Sequence, residues 1–306
     1  MTQSPDPTLP KPTGSAGHVF FFGLGYTALR LAQRLLAAGW RVSGSVRDAE
    51  KAARLSEDDG IACHVLTDAA PISDPKAAFA GVTHVIDSIP PGEDGDTALL
   101  HHSEDLRKAA DLRWIGYLST PAVYGDRQGG WVREEELTTP GSARGERRAA
   151  AERAWMEAFA DTDVAVQAFR VAGIYGPGPR RNVLESVRNC SARIIDKPGQ
   201  VFNRIHVDDI GSILLASMAR PRDGGIYNVA DTLACDPGDP IRFACELLGV
   251  APPEPIPFDS AELSDMARSF YSECKRLDTS KLTEELGVEL HYPTYREGLR
   301  AIFAAD

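Results

Sequence analysis

The stretch Phe20-Phe21-Phe22-Gly23-Leu24-Gly25-Tyr26-Thr27-Ala28 runs from an apolar segment into two glycines and then into a helical pattern. That order suits the capture of a diphosphate. The first glycine permits a tight turn, the second lets the backbone approach a pyrophosphate, and Ala28 is small enough for a helix to pack on the preceding strand. The anion then meets a helix N-terminus, where unpaired N–H groups and the helix dipole favour negative charge. Gly23, Leu24, Gly25, Tyr26, Thr27 and Ala28 are therefore the candidate dinucleotide loop. Glycines at this spacing are a weak signal alone, and a structural turn in an unrelated α/β protein is the alternative. The flanking strand, the helix and a second strand about 20 residues on make the dinucleotide reading the stronger one.

The end of the second strand separates the two nicotinamide dinucleotides, because sites for NAD place a carboxylate there for the ribose 2′-OH. Here the chain reads Ser45-Val46-Arg47-Asp48. Arg47 can fork onto a 2′-phosphate, a charge-assisted contact of roughly 1.5–3 kcal/mol. An inward-turned Asp48 would favour NAD instead, so NADP is the expected cofactor with NAD as the alternative. Asp68, after the third strand, is placed either to accept from the adenine amine or to cap a helix. Asp87 and Ser88, in Ile86-Asp87-Ser88-Ile89-Pro90-Pro91, end the fourth strand beside the cofactor, Ser88 as a contact and Asp87 as a minor acid/base candidate.

Four further segments occur in order: Ser119-Thr120-Pro121-Ala122-Val123-Tyr124-Gly125, Arg170-Val171-Ala172-Gly173-Ile174-Tyr175-Gly176-Pro177-Gly178, Asn203-Arg204-Ile205-His206-Val207-Asp208-Asp209 and Ile226-Tyr227-Asn228-Val229-Ala230. With the glycine loop they resemble the extended short-chain dehydrogenase/reductase family of NAD(P)-dependent epimerases and dehydratases, from about Val19 to the C-terminus. Gly-x-Gly-Tyr-x-Ala and Gly129-Gly130-Trp131 look closest to its atypical YeeZ-like branch. The resemblance implies a Rossmann-type fold and a small-molecule substrate, and it allows a homodimer through helices flanking the fifth strand.

The resemblance also implies a catalytic hydroxyl at Thr120, holding a substrate carbonyl or hydroxyl. The family's Tyr-x-x-x-Lys helix, counted back from Glu152, falls on Arg144 and Arg148. The usual catalytic pair is missing. A lysine lowers the pKa of its tyrosine toward working pH, where acid/base groups act best. An arginine, with a pKa above about 12, stays charged. Arg148 is expected to hold the nicotinamide ribose; Arg144 cannot replace the tyrosine and is assigned to substrate. Arg144, Arg148 and Glu152 fall on one helix face, which could equally be a solvated charged surface.

Another group must then move the proton. Tyr124 follows the fifth strand at the sheet's carboxyl edge, where ligands of open α/β sheets bind, and it either transfers a proton or packs its loop. His206 has a suitable ordinary pKa but sits in a motif that more often orders the join between lobes, so it is a substrate-side candidate with a structural alternative. Arg180 and Arg181 resemble the place where relatives with nucleotide-sugar substrates hold phosphate, and two guanidiniums can clamp an anion. Surface solubility explains them equally well. Trp131 and Trp155 read as packing residues.

These residues need a parallel α/β frame to bring them together. Candidate strands are His18–Leu24, Arg41–Val46, Ala62–Leu66, His84–Ile89, Trp114–Ser119 and Ala165–Val171, alternating with helical stretches as in strand-helix-strand units. Leu29, Ala32, Leu35 and Leu36 recur at helical spacing, and Gly39 stands where a helix ends. Asp208–Ala219 and Ile226–Ala230 resume the pattern as helix and strand. Beyond Asp236 the chain turns to helices and proline-rich loops with no strand alternation. The expected fold is a Rossmann-type doubly wound parallel sheet over 18–177, completed by about 206–235, with a smaller, mainly helical substrate lobe over 178–306. The proline-rich start, 1–17, reads as a disordered tail.

The 306 residues, 43% hydrophobic, can bury a full core. No apolar run approaches the roughly 18 residues of a membrane span, and no secretory signal is visible. Five cysteines show no metal-ligand spacing and fit reduced thiols in a cytoplasm, with no metal expected. A net charge of −11 repels phosphate backbones, so nucleic acid is not the expected partner. Three functions remain open: an NADP-dependent oxidoreductase or epimerase, a non-catalytic dinucleotide sensor or scaffold without the Tyr/Lys pair, and an isomerase or dehydratase cycling a tightly bound NAD.

Overall fold

The computed structural model describes residues 16–179 and 181–305. Of the expected tail, residues 1–15 lie outside the described residues, as does Arg180. Its centre is a seven-stranded parallel sheet. Strands β1 (His18–Phe22), β2 (Arg41–Val46), β3 (Ala62–Val65), β4 (His84–Asp87) and β5 (Trp114–Ser119) are joined by Ala165–Val171 and Ile226–Val229. Across the sheet the order is Ile226–Val229, Ala165–Val171, β5, β4, β1, β2, β3, and every pairing is parallel.

All five residues of β1 are buried because both faces of the sheet are covered. Val19 and Phe21 point into one core with Leu31, Leu35 and Ile213. Phe20 and Phe22 point into the other, with Leu106, Trp155 and Phe159. Helices α1 (Tyr26–Ala37) and α2 (Ala49–Asp58), with the Val207–Ala219 helix, cover the first face; Thr97–Arg107 and Ala143–Phe159 cover the second. Gly39 closes α1 in the left-handed region, φ 81°. α1 is locked to the Val207–Ala219 helix by Arg30, whose Nε and Nη2 donate to Asp208 Oδ1 at 2.7 Å and Oδ2 at 2.8 Å.

The chain lays down β1, moves outward to β2 and β3, then returns to β4 on the other side of β1. The carboxyl ends of β1 and β4 therefore flank the point where strand order reverses, which is where such sheets bind ligands. The glycine loop leaves β1 at this point and Ser88 leaves β4.

Beyond the sheet, the chain after Asp236 contains strands that its pattern does not announce. Ile256–Pro257 pairs with Ile195–Asp196, and Arg276–Leu277 pairs with Trp131–Val132. Two residues are too few to show alternation, and such strands exist only because a distant segment pairs with them. Trp155 is fully buried, whereas Trp131 is 63% exposed and contributes backbone pairing instead of packing.

Candidate functional site

The glycine loop is shaped by close backbone approach. Gly23 has φ 84°, and a Cβ there would stand 3.0 Å from Ser88 Oγ and 3.1 Å from Ile89 Cγ1. A Cβ on Gly25 would meet nothing within 4 Å. Gly25 is the N-cap of α1 and no side chain caps that helix, so the N–H groups of its first turn have no intrahelical acceptor. Gly25, Tyr26, Thr27 and Ala28 all line a cleft of about 1010 Å³. An open Cα face beside unpaired amides at a helix N-terminus fits a pyrophosphate.

Ser88 also lines this cleft, and its hydroxyl donates to Gly23 O at 2.8 Å, so it braces the turn. Leu24 is buried, with its amide on Ser45 O at 3.0 Å. At the end of β2, Arg47 is exposed. Asp48 caps α2, its carboxylate accepting from Lys51 N at 2.7 Å. Lys51 Nζ in turn donates to Leu24 O at 2.8 Å. Asp68 is exposed and accepts from Thr97 Oγ1 at 2.6 Å.

The opposite wall comes from the end of β5 and the Ala143–Phe159 helix. Thr120 lines the cleft and caps a short turn, its Oγ1 accepting from Ala122 N at 3.4 Å. Ser142 caps the helix by accepting from Gly145 N at 3.2 Å, which sets Arg144 and Arg148 on successive turns facing the cleft. Arg148 donates to Leu118 O and lies 5.9 Å from the Tyr117 ring centroid. Arg144 lies 5.4 Å from that of Phe270; burial first, and then Arg148, pull its guanidinium below the ordinary range against Glu273. Arg181 lies 5.7 Å from the Tyr26 ring, whose hydroxyl donates to Pro177 O at 2.8 Å.

Three sequence candidates are used elsewhere. Tyr124 is fully buried, its hydroxyl donates to Asn228 Oδ1 at 2.7 Å, and it does not line the cleft. Burial pushes its phenol up to about 12, away from a neutral-pH proton carrier. His206, 2% exposed, caps the Val207–Ala219 helix, accepting from Asp208 N at 3.2 Å beneath Tyr175 and Tyr292. It serves the join and does not reach the cleft. Asp87 is fully buried under the floor, where burial and then Asp96 raise its carboxyl well above the usual range. The face carrying Glu152 is not a solvated one either, since Glu152 is buried against Arg170 and accepts from Ser119.

Sequence reasoning missed Lys275 and Glu273. Both line the cleft, with Lys275 only 7% exposed. Its Nζ donates to Glu273 Oε2 and, at 3.3 Å, to Pro121 O, next to Thr120. Burial lowers its amine below the ordinary lysine range. No local motif marks this lysine. The only hint is Gly129-Gly130-Trp131, whose backbone receives the segment: Arg276 N donates to Gly130 O at 2.8 Å and Gly129 N to Cys274 O at 2.9 Å.

The cations around the cleft are Arg144, Arg148, Arg181, Arg193, Arg204 and Lys275, against a single carboxylate, Glu273, among the described residues. In a chain of net charge −11 this is a local reversal of sign. Among the described residues there is no cluster of metal-ligating side chains, and no helix is long and apolar enough to cross a membrane.

A doubly wound sheet with a glycine loop at its switch point defines a dinucleotide-binding α/β protein. Residues 23–230 match the model of the NAD dependent epimerase/dehydratase family, and the chain belongs to that family. It is similar to a structurally determined, functionally unknown conserved protein from Silicibacter pomeroyi DSS, 43% identical with TM-score 0.86, over 95% of this chain and 99% of that one. Protein YeeZ of Escherichia coli K12 is 27% identical over 287 residues, 90% of this chain and 96% of its own. A dTDP-glucose 4,6-dehydratase from Bacillus anthracis, solved in complex with NAD, shares the fold at TM-score 0.74 and 15% identity, over 94% and 96% of the two chains.

Proposed function

We propose that this chain is an NADP(H)-dependent oxidoreductase or epimerase acting on a small anionic substrate that bears a hydroxyl or carbonyl. The observation that carries this reading is that the glycine loop and the Thr120–Arg144–Arg148 wall line one cleft. When bound, the nicotinamide supplies or accepts a hydride. The N–H groups at Tyr26 to Ala28 hold the pyrophosphate, Arg148 the nicotinamide ribose, and Thr120 the substrate oxygen. Arg47 holds the 2′-phosphate, and NADP is favoured over NAD because Asp48 is occupied as the cap of α2. Arg144 and Arg181 supply cationic contacts for the substrate's anionic group. The unpaired cysteines, Cys63, Cys190, Cys235, Cys245 and Cys274, suit a cytoplasmic setting.

The second reading is a non-catalytic dinucleotide sensor, favoured by arginines at both positions where the family resemblance places tyrosine and lysine. The test is NADPH consumption and NADP reduction across a panel of nucleotide sugars, keto acids and aldehydes, with NADPH and NADH binding measured in parallel. Turnover supports the enzyme. Tight NADPH binding with no turnover, and a partner protein whose association follows the NADP/NADPH ratio, overturns it in favour of the sensor. Arg47→Ala is expected to weaken NADPH by about 10- to 100-fold and leave NADH unchanged.

A further inference from the structure

The segment Glu273-Cys274-Lys275-Arg276-Leu277 is held in place far more firmly than a surface loop. Cys274 N donates to Asp126 Oδ1 at 2.7 Å, and Cys274 O accepts from both Arg127 N and Gly129 N at 3.0 and 2.9 Å. Asn203 grips the segment's other side, Nδ2 donating to Lys275 O at 2.9 Å and Oδ1 accepting from Leu277 N at 3.0 Å. Gln200 Nε2 donates to Glu273 O at 2.8 Å. These ties hold the segment with the Lys275 amine against the turn that begins at Thr120, its Nζ 3.3 Å from Pro121 O. Neither the cofactor loop nor the sheet needs a lysine there.

We propose that Lys275 is the proton-transferring residue of this cleft, brought by a remote segment to the Thr120–Pro121 turn where the Ala143–Phe159 helix offers only arginines. The inference rests on the reading that the cleft carries hydride chemistry. In the oxidative direction the substrate C–H bond breaks, its hydride with the electron pair passing to the nicotinamide. The O–H bond breaks with it, and its proton goes to the neutral Lys275 amine. The C=O and N–H bonds form together. In the reductive direction the Lys275 ammonium returns the proton to the substrate oxygen as the hydride arrives at carbon.

The surroundings of the amine suit both directions. Burial disfavours the ammonium, and Arg127 adds to that; Glu273 and Asp126 favour it, leaving the amine titrating below an ordinary lysine. From the long helix, Arg144 faces Glu273 and tempers that carboxylate's pull on the lysine. Glu273 is a positioning residue here, directing the amine and setting the pH at which it gives up its proton. General acid/base groups work best when that pH lies near the working one.

The test combines kinetics with a titration that needs no substrate. Lys275→Met and Lys275→Arg are expected to lower kcat by about 100-fold or more, with KM and NADPH affinity within about threefold. Arginine keeps the charge and the donors, so a purely structural lysine would be rescued by Lys275→Arg; activity within about tenfold of the parent would overturn the proposal. Competitive labelling of amines with acetic anhydride, read by mass spectrometry against exposed Lys76, follows Lys275 in the cofactor-free protein. Its midpoint is expected below that of Lys76, and lower still in Glu273→Gln. If no substrate in the panel turns over, the oxidoreductase reading fails and the proton-transferring role falls with it; turnover that survives Lys275→Arg overturns the lysine alone. A midpoint equal to that of Lys76, unmoved by Glu273→Gln, overturns the proposal.

Discussion

Arg170 closes a two-point ion pair on Glu152, Nη2 to Oε2 at 2.9 Å and Nε to Oε1 at 3.2 Å, with both side chains buried. Ser119 Oγ donates to the same carboxylate, and the guanidinium lies 4.6 Å from the Tyr124 ring. The pair ties the Ala143–Phe159 helix to the Ala165–Val171 strand directly below the cleft wall. Removing one partner strands the other as an uncompensated buried charge. Glu152→Ala is expected to cost about 3–5 kcal/mol in urea unfolding, and Glu152→Gln less, because the amide oxygen still accepts. A loss under about 1 kcal/mol for the alanine variant would mean the pair is solvated in solution.

The phenol of Tyr124 belongs to the same layer. Asn228, which accepts from it, is fixed by its own amide, Nδ2 donating to Asp278 O at 3.0 Å. Tyr124→Phe leaves a buried acceptor without its donor, an expected loss of about 1–3 kcal/mol. NADPH affinity and turnover should stay within about twofold. A kcat reduced 100-fold at unchanged stability would return Tyr124 to the reaction.

The parallel sheet was legible in the sequence because it is written locally. The apolar run at Phe20–Phe22, the glycines after it and the helical spacing of Leu29, Ala32, Leu35 and Leu36 each report their own structure. The family resemblance implied roles for Thr120, Arg144 and Arg148, and helix periodicity added only that the two arginines share a face; all three line the same cleft. Lys275 was not legible, since its place is set by pairing between Arg276–Leu277 and Trp131–Val132, about 145 residues apart by the numbering. Tyr124 and His206 each carried a structural alternative for a related reason. A polar side chain in a strand-end motif reads the same whether its partner is a substrate or a buried asparagine, and only tertiary packing decides.

The two glycines of the loop make separable predictions. Gly25→Val adds atoms where a Cβ meets nothing within 4 Å, on a residue with φ −91°. The fold should tolerate it, with Tm nearly unchanged, while NADPH affinity falls by at least about tenfold, because the backbone no longer admits the pyrophosphate. Gly23→Ala strains a residue at φ 84° and crowds Ser88 and Ile89. It should cost about 1–3 kcal/mol of stability, seen in thermal and urea unfolding. Equal effects of the two variants on stability would contradict this division.

Asp231 sets an expected pH dependence of stability. It is 4% exposed, with Oδ1 accepting from Leu233 N at 3.1 Å, and its backbone N–H donates to Arg204 O at the rim of the cleft. Burial is the first cause that raises its carboxyl from 3.8 to about 7, with Asp209 and Glu297 adding to the rise and Leu233 N and Arg204 opposing it. Between those two values the unfolded chain has released the proton and the folded chain still holds it. The stabilisation is therefore complete below the lower value and drains away as pH rises, by up to about 1.4 kcal/mol per pH unit, until the folded carboxyl ionises near 7. Asp231→Asn cannot titrate at this site and lacks this contribution to the loss over that window. Urea unfolding of both proteins at about pH 5 and about pH 8 reads the difference directly: the wild type should fall relative to the variant as pH rises. Parallel behaviour of the two would show that Asp231 is solvated and ionises at an ordinary pH.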